Sequence, residues 1–142
     1  MKTIHAGIAS SMERLRLETC SDFAGLGLID ADTRKLRWHI AAGSISERTL
    51  LVEQKPTAGL SGTAIRSGRP ARTDAAVTDA ERFRLGEPVM LGEQLRIAVS
   101  VPMESAEGIQ GVLLLGRRSG ASYGKEELEC ACRAAREIAQ GC

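Results

Sequence analysis

Aromatic side chains are scarce: Phe, Trp and Tyr make up 3% of the 142 residues. A core must therefore come from Leu, Ile, Val, Ala and Met, and Trp38, Phe23, Phe83 and Tyr123 become individually informative. Charge of one sign is also lacking. The formal net charge is +1, so nothing suggests a dedicated nucleic-acid surface. No apolar run approaches the ~20 residues of a membrane-spanning helix, and the N-terminus has no signal-peptide pattern. The expectation is a soluble cytoplasmic protein with no membrane or nucleic-acid partner. The cysteines, Cys20, Cys130, Cys132 and Cys142, form no C-x-x-C pair and match no zinc spacing. No metal site is expected, and reduced thiols without a role fit a cytosolic chain. His5 and His39 stand in no Cys, Asp or His constellation suited to metal binding or nucleophilic catalysis.

The chain is long enough to bury a real core without staples, and its length predicts one domain over residues 1–142. Hydrophobic content of 43% and charged content of 26% are those of a globular protein.

The most informative stretch is Gly59-Leu60-Ser61-Gly62-Thr63-Ala64-Ile65-Arg66-Ser67-Gly68-Arg69-Pro70. Leu60, Ala64 and Ile65 fit one buried helical stripe. Gly68 is a natural helix stop, and Pro70 cannot continue the helix. A glycine turn thus opens a helix of about two turns. Its free N–H groups attract anions, although a capped connector helix is the simpler use of such a segment.

Around it, residues 3–19 place Ile4, Ile8, Met12 and Leu15 at helical spacing between charges, predicting an amphipathic helix. Residues 22–30 and 35–42 read as an antiparallel hairpin around the turn Asp30-Ala31-Asp32-Thr33. On the second strand strict alternation puts Leu36, Trp38, Ile40 and Ala42 on one face and Lys35, Arg37 and His39 on the other. Residues 49–55 read as a short strand or an ordered loop, and 71–74 as a short strand. Asp79 to Arg82 can make a helical turn. Residues 87–95 look helical, with Pro88 at its preferred first position. Residues 97–103 and 109–117 read as strands, the second apolar enough to be covered on both faces. Pro102 marks a bulge or an end of the first. Tyr123 to Gln140 carries Leu128, Cys132, Ala135 and Ile138 at helical spacing, with Ser122 as its cap. Arg66, Arg69, Arg72, Arg82, Arg84 and Arg96 read as solvated surface. Hairpins with helices gathered at the ends give an α+β fold with an antiparallel sheet.

Three segments of this order resemble the GAF family, a PAS-like fold of small-molecule sensors. They are Gly59 to Pro70, Ile97-Ala98-Val99-Ser100-Val101-Pro102-Met103, and Ile109-Gln110-Gly111-Val112-Leu113-Leu114-Leu115. The resemblance implies a central antiparallel sheet, with the N- and C-terminal helices on one face and pocket helices and loops on the other. Leu36-Arg37-Trp38, Ala42-Gly43-Ser44 and Glu87-Pro88-Val89-Met90-Leu91 look like the stand-alone GAF nitrate receptors of the NreA type. That likeness implies a non-enzymatic module that binds nitrate, needs no other cofactor, and modulates a sensor histidine kinase of a two-component system.

The site residues it implies are Trp38, Leu60, Ser61, Pro88 and Val89. Backbone N–H groups of two helix openings would face a small planar anion, with Trp38 as an indole donor or a flat wall. Each also has a plainer role: Trp38 as core, Ser61 as a cap, Pro88 as a helix starter. Glu87 departs from the pattern, since an aromatic stands there in the group. A carboxylate beside the pocket repels an anion unless it turns to solvent or the ligand differs. Two other readings stay open: a GAF domain with another ligand, or a ligand-free module forming a homodimer. A free methionine sulfoxide reductase is disfavoured, because no cysteine lies between residues 21 and 129.

Overall fold

Period-two burial, with register shifts in two of the strand pairings, builds the sheet. The computed structural model describes residues 6–73 and 76–141. Ile4, His5, Asp74 and Cys142, with the first residues of the helix expected over 3–19, lie outside the described residues. The elements are α1 (Ala6–Glu18), β1 (Phe23–Ile29), β2 (Leu36–Ala42), a 3-10 turn (Thr49–Leu51), β3 (Glu53–Gln54), α2 (Gly59–Ser67), β4 (Ala71–Arg72), α3 (Asp79–Leu85), α4 (Pro88–Gly92), β5 (Ile97–Ser105), β6 (Gly108–Arg117) and α5 (Lys125–Gly141). The strands form one sheet in the order β3-β2-β1-β6-β5-β4, and every neighbouring pair is antiparallel. This is the expected α+β GAF architecture.

Each central strand feeds two cores because both faces are covered. Leu26, Val99, Val101, Leu113 and Leu115 meet Met12 and Leu15 of α1 and Ala131, Ala135 and Ile138 of α5. The alternate residues Phe23, Ala98, Val112 and Leu114 meet Leu60 of α2, Val89 and Met90 of α4, and Leu36 and Trp38 of β2. The terminal helices therefore lie on one face, and α2 and α4 on the other.

The strict alternation assigned to β2 fails after Trp38. Leu26 pairs with Ile40 but Gly27 pairs with Trp38, so His39 is an extra residue. Such a bulge reverses the facing of everything beyond it. Leu36 and Trp38 face the α2–α4 core, while Ile40 and Ala42 pack on the α1–α5 core.

Other boundaries also move. Of the two outcomes expected at Pro102, the strand end fails, since Pro102 pairs with Val112 and β5 runs to Ser105, while a register shift does follow it, between Met103 and Glu104. Because β4 pairs only with Val99 and Ser100, the outer side of β5 at Pro102 has no ladder to lose. Helix α5 starts at Lys125, so Ser122 is not its cap and Tyr123 lies outside it. Tyr123 instead packs under the Arg117 guanidinium at 4.1 Å and bonds Ser21 at 2.7 Å. Helix α3 is a full element because Thr78 and Glu81 form a reciprocal capping box. Arg82 is not solvated surface: its side chain is 12% exposed, and Nε and Nη1 are buried without a partner among the described residues. No helix among the described residues is long and apolar enough to cross a membrane.

Candidate functional site

The start of α2 exposes N–H groups that have no partner within the helix. Its N-cap, Ala58, supplies no side chain to them. Ser61, expected as a cap, stands two residues inside the helix. Its hydroxyl accepts from Ser100 at 3.1 Å, and its backbone N–H donates to the Glu87 carboxylate at 2.8 Å. The cap of α2 thus comes from 26 positions away. Gly59 permits this approach: it has φ +70, and a Cβ there would stand 2.9 Å from Glu87 Cα.

Glu87 is 0% exposed, so it does not turn to solvent. Its second oxygen accepts from Gln54 Nε2 at 2.8 Å, and Gln54 Oε1 accepts from the Trp38 indole at 3.0 Å. This chain has a direction. An indole N–H can only donate, so it holds the Gln54 oxygen toward itself and turns the amide NH2 toward Glu87. A backbone N–H also can only donate. The position between Ser61 and Gln54 therefore calls for a planar group with two acceptor oxygens, and the Glu87 carboxylate meets that demand. Burial pushes the Glu87 carboxyl above its usual range, against the opposing pull of the hydrogen bonds from Ser61 and Gln54.

Trp38, Leu60 and Val89 share one buried apolar cluster beside this carboxylate. Pro88 takes the first position of α4, directly after Glu87, and is only partly buried. Trp38 donates to Gln54, not into open space. Gln54, Glu87 as the hub, and Ser100 were not among the site residues expected from sequence. For Gln54 the available signal was weak, a polar residue in a two-residue strand. For Glu87 the signal was its position directly before Pro88.

The dependence of the network on Trp38 is testable. Trp38→Phe keeps an aromatic body but strands the buried Gln54 carbonyl without its donor, which costs about 2 kcal/mol. Urea denaturation of the two proteins should show the midpoint lowered accordingly; an unchanged midpoint would mean that the indole bond contributes nothing.

A second buried carboxylate closes the other end of α4. Glu93, also 0% exposed, accepts from the Ile45 backbone at 2.8 Å and from Arg118 Nη2 at 2.9 Å, and it binds the hydroxyls of Ser44 and Thr49. Among the described residues, no group of three or more His, Cys, Asp or Glu is arranged to hold a metal ion. Cys130 and Cys132 lie on α5, across the sheet from Glu87, and burial raises both thiols above their usual range. Such a shift lowers thiolate content, the reverse of what a nucleophilic cysteine needs.

Among curated proteins, none matches the chain. A solved structure of an NreA protein from Staphylococcus aureus, mutated in its nitrate binding site, is 25% identical, with 84% of this chain and 88% of that one covered and a TM-score of 0.73. The GAF domain of an Acinetobacter phosphoenolpyruvate-protein phosphotransferase is 12% identical over 98% of this chain and 82% of that one, with a TM-score of 0.78. A type II free methionine-R-sulfoxide reductase from Thermoplasma acidophilum is 14% identical over 95% of this chain and 89% of that one, with a TM-score of 0.73. At those two identities the likeness is one of fold. The family model for the GAF domain matches residues 6–141, in agreement with the sheet order and the helices on its two faces, and the chain belongs to the GAF domain family.

Proposed function

We propose that this GAF domain is a cytoplasmic sensor of a small planar anion, nitrate foremost, and that the occupied domain modulates a sensor histidine kinase. The observation that supports this reading is the pair of donors, Ser61 N–H and Gln54 Nε2, closed on the planar carboxyl group of Glu87 beside Trp38. Nitrate shares the planarity, the single negative charge and the acceptor-only oxygens of a carboxylate. Trp38, Leu60, Ser61, Pro88 and Val89 are the ligand-binding residues of this proposal, now with Gln54. The likeness to the nitrate-binding protein of Staphylococcus aureus adds weight.

Catalysis is not part of the proposal. The reductase neighbour shares only the fold, and the raised thiols of α5 stand on the far side of the sheet.

Titration calorimetry of the unaltered protein with nitrate, formate and chloride tests the ligand. Nitrate is expected to bind in the micromolar to low millimolar range and chloride not at all. No heat with nitrate at millimolar concentration would remove nitrate from the proposal. One observation favours a second reading in that event. Glu87 already fills the cradle, and a groove of about 440 Å³ opens between α1 and α5, lined by Ile8, Leu15 and Ile138 with Arg14, Glu18 and Arg133 at its rim. A ligand-free module that pairs through this face with a second copy would use both features.

A further inference from the structure

We infer that Glu87 is the resident ligand of the cradle, an autoinhibitory contact that an incoming planar anion must displace before it can bind. The inference rests on the anion-sensor reading and adds the residue that sets the site's affinity.

The cradle has two donors directed at one place, and both are used. Ser61 N–H takes one Glu87 oxygen and Gln54 Nε2 takes the other, each at 2.8 Å. A second anion beside the carboxyl group would find these donors spent and no room beside a side chain that is 0% exposed, and against its ionised form would also meet a poorly screened like charge. Among the described residues no ion pair involves Glu87, so no cation is held there to offset a second negative charge. Occupancy is therefore exclusive: either Glu87 or the ligand holds the cradle.

Displacement is feasible because of what carries Glu87. The residue is the N-cap of α4 and directly follows the left-handed Gly86, so a change of backbone angles there re-aims its side chain. No residue of the preceding helix α3 is fully buried, Arg82 coming nearest with its side chain 12% exposed, and its Phe83 is 74% exposed. Among the described residues two nitrogens of Arg82 are buried without partners, a cost that moving α3 relieves, against the Asp79–Arg96 ion pair and the Leu85 packing that it gives up. The segment that delivers the carboxylate is weakly held, while its receivers, Ser61, Gln54 and Trp38, belong to α2 and the sheet.

The same exclusivity sets the direction of effect. A ligand that must first expel a resident group binds with affinity reduced by the fraction of molecules in which the cradle is open. Removing the resident carboxylate lifts that reduction and leaves a vacancy of carboxylate shape. Formate is then a direct probe, because it restores the deleted carboxylate. Trp38 is the single tryptophan of the chain. Through Gln54 its fluorescence reports on the cradle.

The experiment compares the unaltered protein with Glu87→Ala and Glu87→Gln in fluorescence titrations with sodium formate, sodium nitrate and sodium chloride, at constant ionic strength. Glu87→Ala is expected to bind formate at least tenfold more tightly than the unaltered protein. Glu87→Gln, which turns an NH2 group toward a donor and so holds the cradle less well, should fall between the two. It also stands in for the alanine variant should that one not fold. If both folded variants bind formate and nitrate no more tightly than the unaltered protein, the inference is overturned, even where nitrate binds all three. If Glu87→Ala gains formate affinity and no form prefers nitrate over chloride, the resident-ligand inference stands and the nitrate reading falls.

Discussion

Glu93→Ala is expected to destabilise the fold by about 3 kcal/mol, the cost of stranding the donors of a fully buried carboxylate whose guanidinium partner keeps some access to water. The side chain is 0% exposed, and every group it accepts from is left behind: the Arg118 guanidinium, the Ile45 N–H and the hydroxyls of Ser44 and Thr49. Arg118 is partly rescued, since its Nε also donates to the Glu93 carbonyl at 2.9 Å and Nη2 reaches the Gly43 carbonyl at 3.3 Å. In the segment 44–49 the Ser44 hydroxyl can still donate to the Ser46 carbonyl at 3.0 Å, but the Ile45 N–H and the Thr49 hydroxyl would have to find water. A shift in thermal midpoint of roughly 10 °C follows for a chain of this size. Glu93→Gln should recover part of this loss, because an amide oxygen can still accept from Arg118. Calorimetric melting of the three proteins checks the order; a midpoint within 2 °C of the unaltered protein for Glu93→Ala, a value taken as roughly the scatter of a surface change, would refute it.

The position of Glu93 gives this number a functional meaning. Glu87 is the N-cap and Glu93 the C-cap of α4, so a five-residue helix is bracketed by two fully buried carboxylates. A helix this short has little stability of its own. Glu87 ties its start to α2 and to β3 through Ser61 and Gln54, whereas Glu93 ties its end to the segment after β2 and to Arg118 after β6. The two ties differ in kind. Glu93 has a guanidinium counter-charge within 2.9 Å, and Glu87 has only neutral donors. An unpaired buried carboxylate is the more costly to keep. The asymmetry makes the Glu87 end the one that can let go, while Glu93 holds α4 to the fold.

Most of the architecture was legible because it rests on periodicity. The apolar stripes of α1 and α5 and the two-faced burial of β6 follow directly from residue spacing, and Gly68 does end α2, with φ +68. Three features were not. The bulge at His39 leaves no mark in an alternating string, since Leu36, Trp38, Ile40 and Ala42 look like one face whether or not the strand slips. The separate burial of Arg82 is a matter of tertiary packing around α3, which its charge argues against. Above all, a Glu before a Pro reads as a solvated helix start, and only the fold brings Gln54 and Ser61 to it. The residues expected at the site lie around that carboxylate. The hydrogen-bonded hub of the arrangement was instead the residue that broke the family pattern.

Gly62→Ala tests whether the opening of α2 is as tightly constrained as the cradle requires. Two effects oppose each other. Inside a helix, alanine is favoured over glycine by about 1 kcal/mol. A Cβ on Gly62, however, would stand 2.2 Å from the Thr57 carbonyl carbon and 2.3 Å from its oxygen. These are backbone atoms and cannot rotate away as a flexible side chain would. The turn Thr57–Ala58 would have to move by about an ångström or more, and overpacking of this kind costs about 1–3 kcal/mol, occasionally more. With backbone meeting the new methyl, the cost lies toward the upper end of that range and outweighs the propensity, and a net loss of about 1–2 kcal/mol is expected. The movement has a second consequence. Ala58 accepts the Gly62 N–H at 2.8 Å, so shifting the turn re-aims the first turn of α2, including the Ser61 N–H that holds Glu87. Stability and the environment of Trp38 should therefore change together. Gly92→Ala is the matched control: a Cβ there would meet nothing within 4 Å, its φ is not positive, and it lies at the end of α4. That change should be neutral or slightly stabilising. Urea denaturation followed by Trp38 fluorescence reads both proteins. Equal midpoints for Gly62→Ala and Gly92→Ala would show that the turn yields freely and that the α2 opening is not held in place by its contact with Thr57.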